Sequence, residues 1–66
     1  MEIIFHSTKC PKCKVLEMKM QKKNISYTEN NDVDLMLKKG IKSAPCLEID
    51  NKIYDFKNAI EWVNKQ

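Results

Sequence analysis

The spacing of apolar residues changes several times along this short chain, and each change marks a new element. Ile3, Ile4 and Phe5 form an unbroken apolar run ending at the turn-prone Ser7-Thr8, the pattern of a central strand covered on both faces. From Pro11 to about Lys23 the residues are good helix formers. Within that stretch Cys13, Leu16 and Met20 recur on one helical face, and Pro11 stands at the first helical position, where proline is best tolerated. Ile25 and Tyr27 alternate with Ser26 and Thr28 and predict a second strand. Asn31 or Asp32 then caps a short helix carrying Val33, Met36 and Leu37, which Gly40 ends. Cys46-Leu47-Glu48-Ile49 and Lys52-Ile53-Tyr54 read as two strands around Asp50-Asn51, a pair that tolerates the positive φ angles of a tight hairpin. Behind Asp55 as a cap, Phe56, Ala59, Ile60 and Val63 follow helical spacing and predict a terminal amphipathic helix.

The predicted order is therefore βαβαββα. A βαβ unit followed by a ββα unit makes a four-stranded mixed sheet with helices on both faces, because right-handed crossovers place each helix against the sheet. With 66 residues the chain makes a single domain, 1–66, with a small core. A composition of 42% hydrophobic and 32% charged residues with one glycine fits a globular chain and not a disordered or fibrous one. The net charge of +3 comes mostly from lysines dispersed along the predicted helices among Asp and Glu, which argues against a nucleic-acid partner. The start, Met1-Glu2-Ile3-Ile4-Phe5, has no basic leader followed by a long apolar run, so neither a signal peptide nor a membrane partner is expected, and the expected location is cytoplasmic.

Three cysteines cannot all pair within one chain, so this is not a disulfide-built scaffold. In Cys10-Pro11-Lys12-Cys13 the first sulfur falls at the helix N-cap, where unpaired backbone N–H groups and the positive end of the helix dipole favour thiolate over thiol. Lys9 and Lys12 add positive potential, and Cys13, one turn further in, is placed to resolve a mixed disulfide. The rival reading, from a different class, is a metal-binding or metal-delivery module with Cys10, Cys13 and Cys46 as three thiolates. A structural interaction domain comes third. Ser43-Ala44-Pro45 is the second constellation. A cis Ala44-Pro45 bond just before a strand would leave the backbone of Ala44 free to pair with an extended substrate.

CPKC after an apolar strand, Gly40-Ile41-Lys42-Ser43-Ala44-Pro45 before another, then Ile49-Asp50 and a terminal helix resemble glutaredoxins and NrdH-type redoxins of the thioredoxin superfamily. The resemblance spans nearly the whole chain and implies a thioredoxin fold. It implies Cys10 as nucleophile, Cys13 as resolving thiol, a redox-active disulfide between them, and a substrate surface made by Pro11, Lys12, Ala44 and Pro45. The implied activity is that of a monomeric thiol–disulfide oxidoreductase that reduces protein disulfides without an organic cofactor or a metal. Three departures bear on the reductant. Glutaredoxins commonly have a Lys where this chain has Ser7, a Tyr where it has Lys12, and a Gly-Gly pair where it has Tyr54-Asp55-Phe56. All three touch glutathione, and the Ala-Pro dipeptide with Leu47-Glu48-Ile49-Asp50 looks more like the NrdH type, which a thioredoxin reductase reduces. The Ser-Gly-Phe of that type is also replaced, so the reductant, thioredoxin reductase or glutathione, stays open.

Other residues take plainer readings. His6 is expected as a strand-end residue and Met18, Met20 and Met36 as core filler, with Trp62 off the apolar stripe of its helix. Strand alternation pairs Cys46 with Glu48 on one face, which could bring the thiol near solvent; the plainer expectation buries it as a small hydrophobe beneath the last helix.

Overall fold

The computed structural model describes residues 2–66. Strand β1 (Ile3–His6) leads into helix α1 (Pro11–Lys22), followed by β2 (Thr28–Asn30), α2 (Val33–Lys38), β3 (Cys46–Ile49), β4 (Lys52–Tyr54) and α3 (Phe56–Asn64). The sheet order is β2-β1-β3-β4. β1 runs parallel to β2 and antiparallel to β3, and β3 antiparallel to β4, so the predicted four-stranded mixed sheet forms in the predicted order.

The second strand is shorter than alternation suggests, and starts at Thr28 instead of Ile25. The reason is the exit from α1. Asn24 takes a positive φ of 56°, and the Ile25 N–H bonds back to the Met20 carbonyl at 3.0 Å, so this backbone satisfies the helix end and not the sheet. Ile4 pairs with Thr28, which leaves little of β1 to pair further back. Local chemistry sets the other ends as expected. Asp50 and Asn51 both adopt positive φ, 49° and 71°, in the hairpin, and Gly40 at +82° closes the turn after α2. Asp32 and Asp55 cap α2 and α3 by accepting from the Leu35 and Asn58 N–H groups at 3.2 and 2.8 Å.

One face of the sheet carries the main core. Ile3, Phe5, Leu47 and Ile49 meet Cys13, Leu16 and Met20 of α1 and Ala59 and Val63 of α3, with Phe5 edge-on to Tyr27 at 5.5 Å. Trp62 and Phe56 pack at its margin, half-buried. Met20 and Met36 are core residues, but Met18 is 51% exposed because it lies off the buried stripe of α1.

The opposite face differs from expectation. All four residues of β3 are buried, Glu48 included. Cys46 is not near solvent and not beneath the last helix; it packs with Met36 of α2 and Ile41 in a second cluster. Glu48 tolerates burial because it is paired: Lys39 Nζ lies 3.0 Å from Oε1, and His6 Nε2 lies 3.1 Å from the same oxygen. His6 is wholly buried, and its Nδ1 lies 2.9 Å from the amide nitrogen of Asn30, whose own carbonyl oxygen accepts the Asp32 N–H. That pattern assigns the Asn30 amide as donor, Nδ1 as acceptor and Nε2–H as donor to Glu48. Burial works against the charge on Glu48, but the hydrogen bonds from Lys39 and His6 outweigh it and hold the carboxyl below its ordinary range.

The topology gathers one end of the molecule. β1, β2 and β4 run the same way and each is followed by a helix, so α1, α2 and α3 all begin at one edge of the sheet, where the loop into β3 also arrives. No helix among the described residues is long and apolar enough to cross a membrane.

Glu48→Gln should cost about 1–3 kcal/mol in urea unfolding at neutral pH, since it weakens bonds to a buried His and a partly buried Lys. A carboxyl held low in the fold stabilises above its unfolded pKa and ceases to do so as pH falls through the folded value. The gap between wild type and variant should therefore close on acidification, which urea melts at a series of pH values will check.

Candidate functional site

The gathered edge holds Cys10, Cys13, Ala44 and Pro45. The loop from β1 to α1 is fixed by short bonds to the start of the β2–α2 connection. The Ser7 N–H donates to the Asn30 carbonyl at 3.0 Å, and the Asn31 amide donates to the Ser7 carbonyl at 2.8 Å. The buried Ser7 hydroxyl accepts the Lys9 N–H at 3.1 Å, which turns the chain toward the helix. Lys9 adopts a φ of 63°, unusual outside glycine. Its ammonium pairs with Glu29 at 2.8 Å, and that bond raises the Lys9 pKa and, with the Asn31 amide, lowers that of Glu29.

Cys10 then occupies the N-cap of α1. Its backbone is extended, and its sulfur accepts the Cys13 N–H at 3.1 Å. No acidic residue lies in the first turn of α1, so this sulfur is the helix's own acceptor at that end. Cys10 and Cys13 are joined as a disulfide with Cα atoms 5.0 Å apart. Cys10 is half-buried while Cys13 is sealed in the main core, so one sulfur faces the surface and the other does not.

The Ala44–Pro45 bond is cis, as the sequence reading expects, and Pro45 is buried. The Ala44 carbonyl oxygen stands 4.0 Å from Cys10 Sγ, and Thr8 Oγ1 stands 4.0 Å from Cys13 Sγ. Pro11 is exposed at the first position of α1. The exposed Lys12 lays its ammonium 5.6 Å from the centre of the Phe56 ring at the start of α3. Ser7, Lys9, Lys14 and Glu17 join both cysteines around an open cleft of about 270 Å³.

All the residues singled out for the site thus meet at one edge, with the exception of Cys46. That thiol is free and buried on the other side of β3, and its sulfur donates to the Ser43 carbonyl at 3.0 Å. Burial, with a smaller effect from Asp55, pushes its pKa up. Among the described residues no three His, Cys, Asp or Glu side chains come together as a metal-ligand group. His6, two residues from Thr8 in sequence, spends its ring nitrogens on Glu48 and Asn30. The sequence reading did not find the roles of Thr8, Asn31 and Phe56; only the Asx-prone run Asn30-Asn31-Asp32 hinted at a loop anchor.

Compared with protein-family models, curated proteins and solved structures, the chain matches none of them.

The single free thiol of the oxidised protein should resist alkylation at mildly alkaline pH while the chain is folded. It should label to one thiol per chain once denaturant is added, as mass spectrometry of iodoacetamide-treated samples will read.

Proposed function

We propose that the chain is a small dithiol oxidoreductase of thioredoxin fold, similar to glutaredoxins and NrdH-type redoxins, that reduces disulfides in protein clients. The observation carrying this reading is the half-buried Cys10 sulfur at the N-cap of α1, accepting the Cys13 N–H and facing the Ala44 carbonyl. A structural disulfide gains nothing from placing one sulfur at a helix terminus with an open cleft beside it; an exchange nucleophile gains a stabilised anion and access.

In the reaction the Cys10 thiolate attacks one sulfur of the client disulfide, forming a mixed disulfide and releasing the client's other sulfur as thiolate. Cys13 loses its proton and attacks Cys10 Sγ, which expels the client's second thiolate and closes the Cys10–Cys13 disulfide. Two electrons pass to the client, which takes up two protons. The Cys13 N–H steadies the Cys10 anion, and the backbone of Ala44 pairs with the client segment beside its cystine. The three-thiolate metal reading has no support in the geometry, because Cys46 lies across β3 from Cys13.

For the return of electrons we propose a thioredoxin reductase over glutathione. The Ser7 hydroxyl is buried and bonded to the Lys9 N–H, and Lys12 rests on Phe56, so neither supplies the contact that glutaredoxins make there.

In the reduced protein Cys10 should be alkylated well before Cys13 at mildly acidic pH. Cys10→Ser should abolish reduction of insulin disulfides, Cys13→Ser should accumulate a mixed disulfide, and Cys46→Ala should remain active. NADPH with thioredoxin reductase should turn the wild type over faster than glutathione does. Prior labelling of Cys13, or activity in Cys10→Ser, would sink the mechanism.

A further inference from the structure

Beside the sulfurs lies a second recess, between α2 and the loop into β3, and its walls are mostly apolar. Val33, Met36 and Leu37 of α2 form one side, with Ile41 and Ala44 opposite. Val33 and Leu37 are large hydrophobic residues left 51% and 60% exposed, although α2 has only one residue, Met36, committed to the interior. The recess holds about 80 Å³, between the ~10–15 Å³ that admits one water and the ~150 Å³ that admits benzene, which suits a single aliphatic side chain.

Two facts identify its occupant. Ala44 and Thr8 both line the recess, and the Ala44 carbonyl is 4.0 Å from Cys10 Sγ while Thr8 Oγ1 is 4.0 Å from Cys13 Sγ. A chain whose sulfur is bonded to Cys10 and whose backbone lies along Ala44 therefore runs beside this recess. Lys42 is the one charged residue lining it, and Lys42 takes part in no ion pair among the described residues. The recess thus offers apolar contact with one unpaired cation at its edge.

We propose that this recess selects the client: it receives an aliphatic side chain within two residues of the client's reactive cysteine, with an acidic residue beside it facing Lys42. The inference rests on the dithiol reading above and adds the class of protein segment it acts on. The aliphatic group contributes by leaving water, and the carboxylate by charge, so the two parts separate by their salt dependence. Reduction itself follows the two-electron exchange already written.

The test uses two synthetic peptides, each closed by one disulfide, with Leu and Glu or with Ser and Gln flanking the same cysteine. Rate constants for their reduction by the reduced full-length protein are measured by quenched-flow chromatography, and the ratio between peptides is compared across variants. We expect the Leu-Glu peptide to react about 10-fold faster in the wild type. Leu37→Ser, at an exposed position, should lower the ratio and leave only its salt-dependent part, and Lys42→Gln should lower it and remove its dependence on salt. A ratio near one in the wild type, or a ratio unchanged by Leu37→Ser, overturns the proposal. Self-association of the wild type that Leu37→Ser abolishes also overturns it, assigning the recess to a second copy of the chain. Failure to reduce either peptide would instead refute the dithiol reading, and the client recess with it.

Discussion

At two of its three helices this protein uses an aspartate oxygen to close the N-terminus, and at the third it uses a sulfur. Everything at the site follows from that substitution. A helix start leaves N–H groups that must find an acceptor, and the strength of that demand does not depend on which atom answers it. By placing Cys10 where Asp32 and Asp55 stand in the other helices, the chain directs a structural requirement onto a reactive atom. The same bond sets the position of Cys13, whose N–H is the donor and whose side chain then turns inward onto Leu16 and the sheet.

The face of the sheet away from the main core holds a different solution. Burying Glu48 and His6 in so small a domain would be costly if either were unpaired. Lys39, at the end of α2, and Asn30, at the end of β2, complete the set, so no buried side-chain polar atom among the described residues lacks a partner. This network also ties the start of the β1–α1 loop to α2, because Asn30 accepts from Asp32 while it donates to His6. The loop that presents Cys10 is therefore braced from behind by polar bonds and in front by Ser7 and Asn31.

What could be read from the sequence was what local chemistry decides. Asp50-Asn51 signalled a hairpin because few residues accept two positive φ angles in succession, and Asp55 signalled a helix start because its carboxylate reaches the third N–H beyond it. The closeness of Cys10 and Cys13 was legible because an N-cap and the third residue of its helix lie within one turn of each other. What escaped was decided by contacts far apart in the chain. Glu48 is reconciled to burial by His6, 42 positions away, and nothing in the alternation of β3 reveals that partner. Cys46 is buried, as its plainer reading expects, but Met36 and Ile41 cover it and not the last helix, contacts that the alternation of β3 does not reveal either. Ile25 to Tyr27 had the alternation of a strand, but the Ile25 N–H is spent on the Met20 carbonyl at the end of α1.

The common starting edge of the three helices gives the molecule a surface whose charge reports its chemical state. Asp32 and Asp55 hold two negative charges there that do not change, whereas the third cap is neutral in the disulfide and anionic once the pair is reduced and Cys10 has ionised. The disulfide and the ionised dithiol thus differ by a unit of charge at one place, on the end that holds Cys10 and Ala44. On the function proposed above, a partner delivering electrons and one taking them would meet different fields at this end of the molecule. Discrimination between them would then require no movement of the backbone, only a cap that is sometimes an ion.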